Sequence, residues 1–136
     1  MSTSYDKQAL AEAARTASEQ AYAPYSNFPV GAALLTSTGE IITACNVENA
    51  SYGLTMCAER AAIFQAVAQG HRSFQAIAIS TPGAGSPCGA CRQVLREFGT
   101  DLEIILADEN GQIARETTLA TLLPDSFGPD SLEPKK

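Results

Sequence analysis

The sequence IAISTPGAGSPCGACRQVLREFG, which spans residues 77–99, decides the fold of this chain. Its apolar beginning at 77–79 predicts a buried strand, its Pro- and Gly-rich middle at 82–87 predicts a loop, and residues 88–98, followed by a glycine, predict a helix. Strands that alternate with helices in this way are typical of α/β folds, in which ligands collect where strands end and helices begin. Cys88 and Cys91 fall at such a junction.

A second junction of the same kind precedes this one. The elements predicted there are an antiparallel hairpin with strands at 30–35 and 41–47, a loop at 49–56 and a helix at 57–69. Gly70 is the expected C-cap of that helix. Cys57 therefore also opens a helix that follows a strand and a loop.

The remaining elements complete a mixed sheet. They are a first helix at 6–20 with Ser4 as its N-cap, a strand at 102–106, a short strand at 112–115 after the turn Asn110-Gly111, and a short helix at 119–123. Two successive strand–helix–strand units predict parallel pairing with right-handed crossovers, and the hairpins add antiparallel strands. The sequence therefore predicts a three-layer α/β/α fold with a mixed five-stranded sheet and helices on both faces.

The whole chain has the composition of one globular domain. It has 136 residues, of which 45% are hydrophobic and 18% charged, so we expect a single domain over 1–136 with a loosely specified tail from about 125. The formal net charge is −6 and the only adjacent basic pair is Lys135-Lys136, which disfavours a nucleic-acid partner. No leader or membrane-spanning run is visible, so we expect no membrane partner and a cytoplasmic location.

Four cysteines favour a metal site over a disulfide framework in a reducing compartment. Cys57, Cys88 and Cys91 belong to predicted helix starts, where partial positive charge and free N–H groups stabilise thiolates. A catalytic zinc ion takes three protein ligands and keeps one position open, whereas a structural zinc ion is closed by four. We therefore predict that these three cysteines converge on a catalytic zinc ion. The single histidine, His71, is expected to face solvent at a helix end.

Two residues near Cys57 complete the predicted centre. Glu59 is a candidate proton carrier, because a carboxylate near activated water takes a proton and delivers it to a ring nitrogen and a leaving amine. Three thiolates leave a Zn²⁺ site with net negative charge, so a neighbouring cation is needed to restore its acidity, and Arg60 is the candidate by position. Cys45 lies on a strand outside this pattern and is predicted to be a core residue.

Other interpretations use parts of the same pattern. A non-catalytic structural-zinc interaction domain would recruit Cys45 as a fourth ligand, and a thiol–disulfide oxidoreductase would use Cys88 and Cys91 alone. The second interpretation leaves Cys57-Ala58-Glu59 without a role. Cys-x-Glu followed along the chain by Pro-Cys-x-x-Cys, each at a helix start, is the more restrictive pattern, and it is typical of zinc deaminases.

Five stretches between about residues 22 and 132 follow one another in a recognisable order. They are YSNFPVGAA at 25–33, NVENASY at 46–52, CAER at 57–60, PCGACRQ at 87–93, and Leu122-Leu123-Pro124 with Phe127. Through these stretches the sequence resembles the small free-nucleoside cytidine deaminase family. The resemblance implies that Cys57, Cys88 and Cys91 bind one zinc ion per subunit and that Glu59 is the proton shuttle. It also implies hydrolytic deamination of cytidine and 2′-deoxycytidine, with release of ammonia, as a step of pyrimidine salvage.

The resemblance assigns further residues to a nucleoside pocket. Asn46 and Glu48 would bind the ribose 3′-hydroxyl, although such residues near a strand end otherwise favour turns that face water. Phe28 would pack against the pyrimidine ring, and the backbone N–H of Ala58 would bind the base carbonyl. The remaining residues that would line the pocket are Ala50 and Tyr52.

The resemblance also implies an assembly. Similar three-cysteine members are homotetramers in which a C-terminal phenylalanine, here Phe127, reaches into a neighbour's site, so the expected partners are a nucleoside substrate and further copies of this chain. A deaminase of a related aminonucleoside, such as a blasticidin-type antibiotic, shares the same cysteine and glutamate chemistry. The complete run at 46–52 favours cytidine.

Overall fold

The computed structural model describes residues 4–132, which form five strands and five α-helices. The strands are β1 (Gly31–Thr36), β2 (Ile41–Cys45), β3 (Phe74–Ser80), β4 (Glu103–Ala107) and β5 (Ile113–Thr118). The helices are α1 (Lys7–Ser18), α2 (Ala58–Ala68), α3 (Gly89–Arg96), α4 (Leu119–Leu122) and α5 (Pro129–Leu132), with a 3₁₀ turn at Tyr52–Leu54. None of the helices within residues 4–132 has the length and apolar content needed to cross a bilayer.

The strands form one mixed sheet in the order β2-β1-β3-β4-β5. β1 is antiparallel to both β2 and β3, β3 is parallel to β4, and β5 returns antiparallel to β4. The prediction of a mixed five-stranded sheet is confirmed. Direct parallel pairing in both strand–helix–strand units is wrong, because β1 lies between β2 and β3, which point in the same direction without being neighbours.

Helices cover both faces of the sheet, as predicted. On one face, α2 and α3 pack on sheet residues that include Ile77 and Ile104. On the other face, α1 packs through Leu10 and Ala14. Since both faces are covered, β1 is buried along its whole length, which explains why its sequence GAALLT lacks the alternation of a half-exposed strand.

The starts of α2 and α3 position the cysteines. Cys57 is the N-cap residue of α2 and Cys88 is the N-cap residue of α3, each with extended backbone geometry. β2 and β3 run in the same direction, so the loops that leave their C-terminal ends reach the same edge of the sheet. The N-termini of the two following helices are therefore neighbours.

The ends of the helices depend on local caps. The carboxylate of Asp6 accepts a hydrogen bond from the backbone N–H of Ala9 at 3.0 Å, so α1 begins at Lys7 and the prediction of Ser4 as its N-cap is wrong. After α2 and α3, Gly70 and Gly99 have φ angles of 98° and 129°. These angles favour glycine, so both predicted helix ends are confirmed to within a few residues.

Candidate metal centre and adjoining cavity

The side chains of Cys57, Cys88 and Cys91 converge at the neighbouring starts of α2 and α3. Their sulfur atoms all lie within 4.8 Å of one another, with 4.0 Å between the Sγ atoms of Cys57 and Cys88 and 3.4 Å between those of Cys88 and Cys91. Within residues 4–132, neither Cys45 nor His71 joins this cluster. The imidazole of His71 is half-buried instead of facing solvent and lies 3.1 Å from a carboxylate oxygen of Glu40.

The donor set fits a zinc ion. Tetrahedral coordination with Zn–S bonds of about 2.3 Å places sulfur atoms about 3.8 Å apart. The separations of 3.4 and 4.0 Å lie on either side of that value. Among the described residues the cluster contains three donors and no fourth, so it matches the open, catalytic type of zinc site and not the closed four-cysteine type.

Hydrogen bonds distribute charge unevenly among the cysteines. The pKa of Cys57 is lowered by a hydrogen bond from Cys91 and by the guanidinium of Arg60. The same Cys57–Cys91 hydrogen bond, together with burial, raises the pKa of Cys91. Metal ligands must be deprotonated, so the surroundings favour the ligand form at Cys57, whereas metal binding has to displace the proton of Cys91.

Arg60 lies where the sequence predicts a charge-compensating cation. Its Nη2 atom is 3.4 Å from the Cys57 sulfur. Its Nε atom is buried and has no hydrogen-bond partner in the part of the chain that the structure describes. A guanidinium held against thiolates offsets part of their negative charge.

Glu59 is buried next to the cysteines, with 5% of its surface exposed. Burial raises the pKa of its carboxyl group, the charge of Cys57 adds to this rise, and Arg60 opposes it. Together with Cys57 and Ala58, Glu59 lines a cavity of about 350 Å³, a volume within the range of small-molecule pockets. Glu59 and Cys57, one member of the cysteine cluster, therefore face one concave space.

The cavity wall contains most of the predicted pocket residues. Phe28, Asn46, Glu48 and Ala58 line it, as the resemblance implies. Sequence reasoning misses the other lining residues, which are Ser26, Val30, Thr55, Thr81, Gly85 and Ser86. The last three lie in the loop between β3 and α3. Ligand sites in such folds lie where strands end and helices begin, so the position of this loop just before Cys88 could have indicated that it lines the site.

Asn46 and Glu48 hold the loop in front of β1. The buried carboxamide of Asn46 accepts a hydrogen bond from the backbone N–H of Val30 and donates one to the carbonyl of Phe28, each at 2.9 Å. The carboxylate of Glu48 accepts hydrogen bonds from two backbone N–H groups of the loop, at 3.0 and 3.2 Å, and from the Ser26 hydroxyl. The hydrogen bond from Ser26 is the main reason that the pKa of Glu48 is lowered.

Three predicted pocket residues do not line this cavity within their own chain. Ala50 is exposed, and Tyr52 is 74% exposed, with its ring centroid 5.8 Å from that of Tyr25. The chain turns into a 3₁₀ helix after β2, and this turn carries Tyr52 outward. Phe127 is 58% exposed on the segment before α5, and its backbone carbonyl accepts a hydrogen bond from Gln93 at 2.9 Å.

Three comparisons relate the chain to known proteins. A family model described as the cytidine and deoxycytidylate deaminase zinc-binding region matches residues 4–107. The cytidine deaminase of Sporosarcina psychrophila is 50% identical over 130 residues, which are 93% of this chain and 95% of that protein. That of Mycobacterium tuberculosis is 46% identical over 122 residues, 88% of this chain and 87% of that protein. The crystal structure of cytidine deaminase from Burkholderia pseudomallei superposes with a TM-score of 0.86 at 53% identity, covering 90% of this chain and 100% of that one.

Proposed function

This chain belongs to the cytidine and deoxycytidylate deaminase family, and on that premise we propose that it hydrolyses free cytidine and 2′-deoxycytidine to uridine and 2′-deoxyuridine with release of ammonia, as a step of pyrimidine salvage. Its main support is the convergence of three cysteine sulfurs, all within 4.8 Å, beside a cavity that the buried Glu59 also lines. A metal-binding cluster next to a buried proton carrier is what hydrolytic deamination requires.

The cysteine cluster and Glu59 have different roles in the reaction. Cys57, Cys88 and Cys91 would hold one zinc ion per subunit, which when bound supplies the Lewis acidity that activates water for attack on the ring carbon bearing the amino group. Glu59 accepts a proton from that water and delivers protons to ring N3 and to the departing amine. The oxygen of water stays on the ring, the carbon–nitrogen bond breaks, and ammonia leaves.

The nucleoside would lie in the cavity of about 350 Å³. Phe28 packs against the pyrimidine and the backbone N–H of Ala58 binds the base carbonyl. The carboxamide of Asn46 makes two hydrogen bonds within the chain and keeps one N–H and one lone pair, which together with the Glu48 carboxylate suit the ribose 3′-hydroxyl.

The complete site would form only in an assembly. Ala50, Tyr52 and Phe127 lie outside the cavity of their own chain, and exposed aromatic side chains are typical of surfaces that bind a partner. We therefore place these residues at the sites of neighbouring subunits in a homotetramer. The four free thiols suit a reducing compartment, so we place the enzyme, as one catalytic domain, in the cytoplasm.

The decisive experiment follows the ultraviolet spectrum and the release of ammonia when zinc-loaded protein is given cytidine, 2′-deoxycytidine or cytidine 5′-monophosphate. We expect both nucleosides to be deaminated. The monophosphate should react poorly, because the described residues that line the cavity include two carboxylates and neither lysine nor arginine. A zinc chelator should abolish the activity. Zinc-loaded protein that releases no ammonia from either nucleoside would refute the proposed function.

A further inference from the structure

The segment after α4 is attached to α3 by side chains of that helix. The guanidinium of Arg96 donates hydrogen bonds from Nε to the Ser126 hydroxyl and from Nη2 to a carboxylate oxygen of Asp130, both at 2.7 Å. Gln93, one turn earlier on α3, donates to the backbone carbonyl of Phe127 at 2.9 Å. We call residues 125–132 the C-terminal strap.

The strap packs around the side chain of Arg96. Only 8% of the surface of Arg96 is exposed, so the energetic cost of burying its positive charge must be offset by the hydrogen-bond partners that the strap supplies. One of these partners is Asp130, whose pKa is lowered by the guanidinium. A Cβ atom at Gly128 would overlap the carbon and both terminal nitrogens of the guanidinium. The strap therefore folds closely around one buried side chain, and a glycine at 128 is what leaves room for it.

Phe127 occupies the middle of this arrangement. Its neighbour Ser126 is bound by Arg96, its own carbonyl is bound by Gln93, and Gly128 packs on the guanidinium. The ring itself is 58% exposed. The backbone on both sides of Phe127 is thus fixed to α3 while its side chain points away from the chain's own core, an arrangement that reduces the entropy lost when an exposed aromatic binds a partner.

We propose that Arg96 is a positioning residue for the shared active site. By holding the strap on α3, it presents the ring of Phe127 to the substrate cavity of a second copy of this chain. This inference rests on the proposed function, in which Phe127 contacts substrate in a neighbouring subunit. Arg96 acts only through Phe127, so its contribution to catalysis disappears when that ring is absent.

A double-mutant cycle tests the coupling. Arg96→Met should lower kcat/KM for cytidine by about tenfold, mainly through KM, because it weakens substrate binding and leaves the zinc centre intact. In a Phe127→Ala background the same change should alter kcat/KM by less than about twofold. Arg96→Lys should recover part of the loss. Equal losses in both backgrounds, or wild-type kinetics of Arg96→Met, would overturn the proposal.

Two further variants separate positioning from general stability. Gly128→Ala keeps Arg96 in the chain but displaces its guanidinium, so it should reproduce the rise in KM. Arg15→Met is the matched control, because it removes a guanidinium that pairs with Glu12 and Glu19 on α1, on the opposite face of the sheet. It should leave KM unchanged. A normal KM in Gly128→Ala, or a raised one in Arg15→Met, counts against Arg96.

A measurement that needs no turnover distinguishes failure of this inference from failure of the proposed function. The chain contains no tryptophan, so Phe127→Trp introduces a single tryptophan, which can be excited at wavelengths that the four tyrosines do not absorb. Adding Arg96→Met should increase the amplitude of the nanosecond phase of the tryptophan anisotropy decay severalfold, because a strap that is no longer held on α3 moves on that timescale. An unchanged decay refutes the positioning role of Arg96 even if cytidine is deaminated. If the wild-type protein does not deaminate cytidine but the anisotropy decay changes as expected, the proposed function is refuted. The strap then positions Phe127 without a role in cytidine deamination.

Discussion

Glu59 is the residue whose replacement best separates proton transfer from metal binding. Glu59→Gln keeps the shape of the buried side chain but removes its ability to carry a proton. We expect turnover of cytidine to fall by at least about a thousandfold. The zinc content should stay at the wild-type level, because Glu59 lies beside the cysteine cluster without belonging to it. Steady-state kinetics and elemental analysis of one preparation measure both quantities.

The control for this change is Glu97→Gln. Glu97 is exposed at the end of α3 and does not line the cavity, so kcat and KM should stay within about twofold of the wild type. A Glu59→Gln protein that turns over cytidine normally would contradict the role of proton carrier. So would a variant that loses zinc together with activity, since Glu59 would then act on the metal site itself.

Arg60 allows a prediction about charge at the cysteine cluster. Its guanidinium lies 3.4 Å from the Cys57 sulfur, where it would offset part of the negative charge of the three cysteines once they bind zinc as thiolates. Arg60→Gln should therefore lower zinc affinity or turnover by about tenfold or more. Competition with a chromophoric chelator and cytidine kinetics measure the two effects, with Arg72→Gln, an exposed residue after α2, as control. Wild-type values of both quantities would show that Arg60 has no such role.

Among single residues, those at helix starts could be predicted from local sequence signals, whereas the positions of Ala50 and Tyr52 could not. Cys57 and Cys88 are N-cap residues, and helix starts follow from local signals, so their convergence with Cys91 could be expected. Ala50 and Tyr52 lie in a loop whose path no periodicity indicates. The direction of their side chains depends on the 3₁₀ turn and on packing beyond it, which spacing alone does not encode.

Among the elements, α1 and β1 approach each other unusually closely at one point. A Cβ atom at Gly31, the first residue of β1, would overlap the backbone carbonyl oxygen of Ala14 and would lie 2.5 Å from the backbone nitrogen of Ser18. Both atoms belong to the helix backbone, so no rotation of a side chain relieves the clash. Glycine at this position therefore sets the distance between the first helix and the sheet.

Gly31→Ala should destabilise the protein by about 2 kcal/mol or more, because α1 must shift off the sheet and loosen the packing of Leu10 and Ala14. Urea unfolding followed by circular dichroism measures the change in the free energy of unfolding. Gly53→Ala is the control, since a Cβ there meets nothing within 4 Å, and it should change stability by less than about 0.5 kcal/mol. Equal stability of the two variants would show that α1 can yield without cost.

The types of the elements could be predicted from the sequence, whereas their exact ends required the structure. Apolar runs and turn residues identify all five strands and the longer helices. The predicted start of α1 at 6 lies within one residue of the observed start, but its N-cap is Asp6 and not Ser4. Both residues are good N-caps, and only the hydrogen bond from the Ala9 N–H to the Asp6 carboxylate decides between them.

For the whole molecule, the order of the strands was the part of the fold that local patterns could not supply. Each strand–helix–strand unit predicts two parallel strands, but it does not say whether a third strand lies between them. The β1–β2 hairpin inserts β1 next to β3, where β1 is buried on both faces and β2 takes the edge. A central strand is more deeply buried than an edge strand, and this burial depends on how all the helices pack on the sheet. The strand order therefore cannot be read from one segment of sequence alone.

The C-terminal strap gives a prediction for the assembly. Deletion of residues 125–136 removes Phe127 and should lower kcat/KM by at least about tenfold while zinc is retained. Deletion of 133–136 alone keeps Phe127 and its contacts with α3, so that variant should behave as the wild type. A shortened chain, 1–124, with full activity would discard the idea that subunits share their sites.

Complementation between two point variants tests shared sites without shortening the chain. Glu59→Gln subunits lack the proton carrier but offer Phe127, whereas Phe127→Ala subunits lack the ring but keep Glu59. If each site combines Glu59 of one subunit with Phe127 of another, randomly mixed assemblies made by coexpression contain intact pairs at roughly a quarter of their sites. Equal amounts of the two variants purified separately should give only about one twentieth of wild-type activity, if Phe127→Ala retains a tenth. Coexpressed protein no more active than that mixture would mean that Glu59 and Phe127 serve the same chain.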